Sequence, residues 1–181
     1  GLIDAIAGGG GLIQLPALLI GLSDFKTVEV LGTNKSISIF GTTASARLYR
    51  KSVKSDPKFL LALVIPALLG SIGGASLASR LPTEYFRPVV LVLLIAVAIY
   101  TFTKPELGQV EAMKHSTKHR MLIGISIAAV IGFYDGIFGP GTGSFLVLAM
   151  VGLGFAFLSA SVIAKVVNVS TNLGAIIVFG L

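Results

Sequence analysis

The chain has 181 residues, 54% hydrophobic and only 12% charged, with a formal net charge of +6 and no cysteine. A soluble domain carries about 25% charged residues, so most of this surface must face something other than water, and no polar stretch is long enough to fold apart from the rest. The lack of cysteine in these residues excludes disulfides, thiolate metal sites and cysteine nucleophiles. His115 and His119 share one polar loop and form no metal cluster, and nothing implies a cofactor.

In chain order, the apolar runs predict an all-α integral membrane protein, a polytopic helix bundle in a single transmembrane domain over residues 1–181. A glycine-rich opening leads into a short apolar arm at 12–22. Residues 28–49 are long enough to span but rich in Ser and Thr. Residues 59–79 meet the roughly 20-residue requirement for a spanning helix, and Gly70 and Gly74, four apart, give it a small-xxx-small packing face. Residues 89–103 span if Tyr85 and Phe86 sit at the interface. Residues 121–138 and 158–181 are two further spans, separated by a second glycine cluster and a second short arm at 145–157. Each short arm follows glycines and reads as a re-entrant or discontinuous half-helix.

The loops orient the bundle. Residues 47–58 hold Arg47, Arg50, Lys51, Lys54 and Lys58, residues 104–120 hold Lys104, Lys114, Lys118 and Arg120, and residues 80–87 hold only Arg80 and Arg87. The two rich loops belong in the cytoplasm, which places the chain in a cell (inner or plasma) membrane of bacterial type. Nine of the 14 basic residues are explained in this way, so no nucleic-acid partner is needed. Nothing here sets an oligomeric state. A start without methionine and an end inside an apolar run are expected of a fragment.

The chain also resembles itself at a spacing of about 130 residues. GLIDAIAGGGG (1–11) aligns with GFYDGIFGPGTG (132–143), pairing Asp4 with Asp135, Gly8 with Gly139 and Gly10 with Gly141. Downstream, Lys35, Ser38 and Thr42 map onto Lys165, Asn168 and Asn172 at a separation of 130. The first repeat core then covers 1–50 and the second 121–181, with two intervening helices at 57–103 and the cytoplasmic loop at 104–120. Inverted and parallel copies both fit, and the parity of crossings favours inverted ones.

Both copies carry a polar stripe at helical spacing: Lys35, Ser38, Thr42 and Ser45 in one, and Ser161, Lys165, Asn168 and Asn172 in the other. A mid-membrane lysine costs a few kcal/mol, so it should face a cavity or a partner; snorkelling to an interface is the plain alternative. The glycines could equally serve close packing. If they break helices at mid-membrane, the freed amides of the next half-helix attract anions. The expectation is that both lysines converge on one anion site. Asn34, Ser38, Thr42, Asn168 and Asn172 would supply hydrogen bonds there, and Gly10, Gly11, Thr142 and Gly143 would expose backbone donors. Asp4 and Asp135 could pair with the lysines, carry protons or cap helices.

At AGGGGLIQLPALL (7–19), GTNKSISIFGTTAS (32–45), YDGIFGPGTGSF (134–145) and AKVVNVSTNLGA (164–175), the chain resembles the TauE/SafE-type sulfite-exporter family of membrane permeases. The resemblance covers nearly the whole chain. It implies about eight helices in two related halves, and movement of small anions such as sulfite, organosulfonates or related sulfur-containing or carboxylated anions, with proton coupling left open. The last helices of the family pattern are missing from these residues, as a fragment would have it.

Two rivals come from other classes. An intramembrane aspartyl protease needs two carboxylates sharing a proton and a Gly-x-Gly-Asp motif, which does not occur here. A non-transporting membrane scaffold subunit explains the hydrophobicity but not the matched lysine stripes. The expectation is a transporter rather than an enzyme.

Overall fold

A computed structural model of the chain describes residues 10–53, 56–82 and 116–180, with isolated positions between 84 and 99. The expected span 89–103, most of the loop 104–120, and Asp4 with the first glycines lie largely or wholly outside the described residues. The described part is helical: α1 (Gly10–Gly21), α2 (Thr27–Ser52), α3 (Pro57–Ala78), α4 (Thr117–Ile137), α5 (Thr142–Gly152) and α6 (Phe157–Phe179). Three of these, Pro57–Ala78, Lys118–Ile137 and Phe157–Phe179, are long and apolar enough to cross a membrane.

The helix ends follow local chemistry. α3 starts where Asp56 accepts a hydrogen bond from Lys58 N at 2.9 Å, with Pro57 in the first turn, where its missing N–H is harmless. α2 starts where the Glu29 carboxylate accepts from Lys26 N at 3.1 Å. α4 begins at Thr117, ahead of the apolar run from Met121, because a polar turn extends the spanning helix. The second arm is shorter than its apolar run: α5 stops at Gly152, Gly154 takes φ 98°, and Phe157 opens the next helix. Only glycine enters that conformation without strain.

α6 is the central helix and packs on α2, α3, α4 and α5. The apolar core lies between α3, α4, α5 and α6, around Leu63, Ala67, Ala128, Met150 and Val167. A second cluster joins α1 to α2 through Leu15, Leu19, Val30 and Leu31. Outward-facing Leu61, Ile65, Leu69, Leu122 and Val130 stay exposed, as a lipid-facing surface requires.

α3 and α4 meet backbone to backbone. A Cβ on Gly70 would strike the Ala129 carbonyl oxygen, and one on Gly74 that of Phe133. In return, a Cβ on Gly132 would strike the Ala67 oxygen and one on Gly136 that of Ser71. The sequence marks Gly70 and Gly74 as a packing face; their partners across the contact are Gly132 and Gly136. Lipid gives helices no hydrophobic reason to associate, so this close fit is the main source of attraction.

α2 is built differently. Its buried side is Thr27, Asn34, Lys35, Ser38, Thr42 and Ser45, interleaved with Val30, Leu31 and Ala46, while Ile37, Phe40 and Leu48 face outward. Hydroxyls on this face bond back to their own helix, Thr42 Oγ1 to Ser38 O at 2.9 Å and Ser45 Oγ to Gly41 O at 2.8 Å. Back-bonding satisfies hydroxyls where water is scarce.

Candidate functional site

α4 ends at Ile137 and α5 begins at Thr142, and between them Gly139 and Gly141 take φ values of 92° and 79°. Tyr134 fixes this turn: its hydroxyl donates to Pro140 O at 2.7 Å, and its ring packs against Phe138 and Phe145. The turn delivers Asp135 to α2, where Asp135 Oδ2 lies 2.7 Å from Lys35 Nζ, both side chains at most 2% exposed. Thr142 Oγ1 sits 2.6 Å from Asp135 Oδ1 and 2.8 Å from Gly139 O, so its one proton serves either acceptor. Burying an isolated ammonium or carboxylate costs several kcal/mol, and direct pairing offsets that cost for both. Glycine is required at 139 by its φ, and a Cβ there, 2.5 Å from Lys35 Nζ, would push the ammonium from its present place.

A cavity of about 20 Å³ adjoins the pair, room for about one water molecule. α2 contributes Asn34, Lys35, Ser38 and Thr42 to its wall, α4 contributes Asp135, and α6 contributes Asn168 and Asn172. Gly11 of α1, Gly143 from the first turn of α5, and Gly139 and Gly141 complete it. α1 meets the turn before α5 here, since a Cβ on Gly11 would lie 3.6 Å from Pro140 Cα. The N-terminus of α5, with unsatisfied N–H groups and a partial positive charge, therefore borders one buried ammonium. Asn34 is 2% exposed, and its side-chain oxygen has no hydrogen-bond partner among the described residues.

Most of the expected site residues are brought together, with four exceptions. Gly10 precedes the Gly11 of the wall in α1, and Thr142 stands behind the wall, against Asp135. Asp4 lies outside the described residues. Lys165 is buried, at 4% exposure, but does not line this cavity.

The expected meeting of the two lysines is corrected by the direction of packing. Asn172 Nδ2 donates to Thr42 Oγ1 at 3.4 Å, and a Cβ on Gly32 would lie 3.1 Å from Phe179 Cβ. Position increases along α2 as it decreases along α6, so the helices are antiparallel. Lys35 and Lys165 each precede their member of the Thr42–Asn172 contact by seven residues, and so lie on opposite sides of it. At 1.5 Å per residue, their Cα levels are about 20 Å apart.

Several contributors were not singled out as site residues beforehand. Gly139 and Gly141 appear in the sequence only as members of a repeat, although a glycine that must approach a charged side chain leaves that kind of signal. Tyr134, and Gln14, whose Nε2 donates to Asn34 O at 3.5 Å, carry no sequence mark of their roles.

Comparison with known proteins agrees with this architecture. The chain matches the family model described as "Sulfite exporter TauE/SafE" over residues 1–181. It is 39% identical over 180 residues to the "Probable membrane transporter protein ORF9" of a Sinorhizobium species, covering 99% of this chain and 67% of that protein. It is 36% identical over 188 residues to the "Probable membrane transporter protein YfcA" of Escherichia coli K12, covering 99% of this chain and 65% of the relative. A "Probable membrane transporter protein" of Haemophilus influenzae is 36% identical over 178 residues, 98% of this chain and 68% of the relative. The chain thus spans about two thirds of the length of these curated relatives. No solved structure matches it. With its whole length matched and its helices suited to a bilayer, the chain belongs to the sulfite exporter TauE/SafE family of integral membrane transporters.

Proposed function

We propose that this chain is the substrate-bearing core of a permease for small anions, such as sulfite, organosulfonates or related sulfur-containing or carboxylated anions. The observation that carries this reading is the convergence of Lys35 with Gly11 of α1 and the first turn of α5 on one buried cavity. Broken helices whose N-termini face a mid-membrane site are where transporters hold anionic groups.

Lys35 supplies the charge. Its ammonium has three donors, and Asp135 takes one of them. An incoming anion replaces the carboxylate as the counter-charge, or a proton neutralises the carboxylate and releases the ammonium. The second route couples proton entry to anion binding without leaving a net charge unmatched. Ser38, Thr42, Asn168 and Asn172 provide hydrogen bonds, and a half-turn of the Asn34 amide presents its N–H₂ in place of its unpartnered oxygen. The amides near Gly10, Gly11, Thr142 and Gly143 provide backbone donors. Since the cavity holds about one water, loading requires α1 and the start of α5 to part, with Gly139 and Gly141 as the pivots. The paired state of Asp135 with an ammonium gives the protease alternative no support, because that chemistry needs carboxylates that share a proton.

The test is flux of labelled sulfite and methanesulfonate in proteoliposomes bearing the full-length protein. Lys35→Gln is expected to lower flux at least about tenfold, since a charge-assisted hydrogen bond contributes about 1.5–3 kcal/mol. Unchanged flux in this variant removes the cavity from the pathway. Absence of flux in the wild type for every such anion favours the scaffold reading.

A further inference from the structure

The two buried lysines occupy matching places on oppositely directed helices. Lys35 is the ninth residue of α2 and Lys165 the ninth of α6, and Thr42 and Asn172 are the sixteenth in each. The polar faces do not end at the cavity beside Lys35. On α2 the buried Ser45 continues the stripe past Thr42, and on α6 the buried Lys165 and Ser161 continue it past Asn168 of the cavity wall. Because the helices run antiparallel, both extensions go the same way, along the α2–α6 contact and away from Lys35. The outward sides of both helices carry Ile37, Phe40, Leu173 and Ile177, all exposed, which is a lipid-facing surface.

We infer that Lys35 and Lys165 are two separate anion stations in series, one nearer each face of the membrane, with the uncharged Thr42–Asn172 contact as the neck between them. The inference rests on the anion-permease reading and changes its geometry from one shared site to two. With the Thr42–Asn172 contact set at the middle of a hydrocarbon core of about 30 Å, a spacing of about 20 Å puts each lysine roughly 5 Å inside its own boundary. Helical side chains lean towards their helix N-terminus, so the two ammonium groups lean apart. Each is then reached first from one side only. A small oxyanion is held by one ammonium at a time and passes the neck on hydroxyl and amide hydrogen bonds. At the first station the Asp135 carboxylate, 2.7 Å from the Lys35 ammonium, competes with the anion for it.

The experiment measures the half-saturating sulfite concentration separately on the two faces of oriented vesicles carrying the full-length protein. Lys35→Gln should raise it about tenfold or more on the face where α2 begins and less than about threefold on the other, tenfold being about 1.4 kcal/mol. Lys165→Met should do the reverse, and Lys→Arg at each position should restore most of the affinity. If Lys35→Gln does not reach the membrane, Lys35→Gln with Asp135→Asn leaves no orphaned charge and reads the same arm. Equal shifts on both faces for either lysine mean one shared site and overturn the series arrangement while leaving anion transport intact. No shift at Lys165 on either face removes the second station. No shift at either lysine overturns the permease reading as well.

Discussion

The α3–α4 contact and the α2–α6 contact solve the same problem in opposite ways. Both bury one helix face against another where no water is at hand. α3 and α4 do it by deleting side chains: four glycines, Gly70, Gly74, Gly132 and Gly136, let each backbone touch the other. α2 and α6 keep their polar side chains and satisfy most of them through back-bonded hydroxyls, the Thr42–Asn172 bond and, at one end, an ion pair delivered by α4. The first contact leaves no room for a further side-chain atom at any of the four glycines. The second is held by groups that can exchange partners, which a pathway for polar cargo needs. On the proposed reading, stability and transport fall to different seams of one bundle.

The comparison is broken most severely at the ion pair. Asp135→Asn leaves the Lys35 ammonium buried without its counter-charge, and should cost about 3–5 kcal/mol, read as a large drop in the unfolding temperature of the detergent-solubilised protein. Adding Lys35→Gln should recover most of that loss without restoring transport. A double variant as unstable as the single one would show that the pair is not the source of the effect. Gly132→Ala attacks the other seam: its new methyl meets the Ala67 carbonyl oxygen, and the expected cost is about 1–3 kcal/mol from overpacking. Here the half-saturating anion concentration of the surviving folded fraction should stay the same, whereas an altered value would deny that the α3–α4 wall is separate from the pathway. Thr42→Val is the smallest step. It removes one long neutral hydrogen bond from Asn172, worth about 1 kcal/mol or less, yet it should slow anion flux several-fold because it makes the neck apolar. A stability loss with no change in flux would place Thr42 among the structural groups.

How much of this was legible in the sequence depends on the range of the interaction. The span 59–79 falls within a residue or two of α3 because twenty apolar residues in a row admit few other structures in a bilayer. The stripe through Lys35, Ser38 and Thr42 is buried as its spacing predicts, since helical period is a local property. The arm at 145–157 was overestimated: hydropathy does not register that Gly154 ends one helix and frees the next to start at Phe157. Gly132 looked like a repeat marker, although its role in the fold is to receive Ala67.

The sequence by itself determined that this is a membrane protein, which helix faces are polar, and which residue types border the cavity, because each follows from composition or from the fixed geometry of a single helix. Only the tertiary structure decided that α2 and α6 run in opposite directions, that Asp135 is the partner of Lys35, and that Lys165 stands on the far side of the Thr42–Asn172 contact. Periodicity fixes a side chain's angle around its own helix axis, but carries no information about the sense in which a second helix passes by.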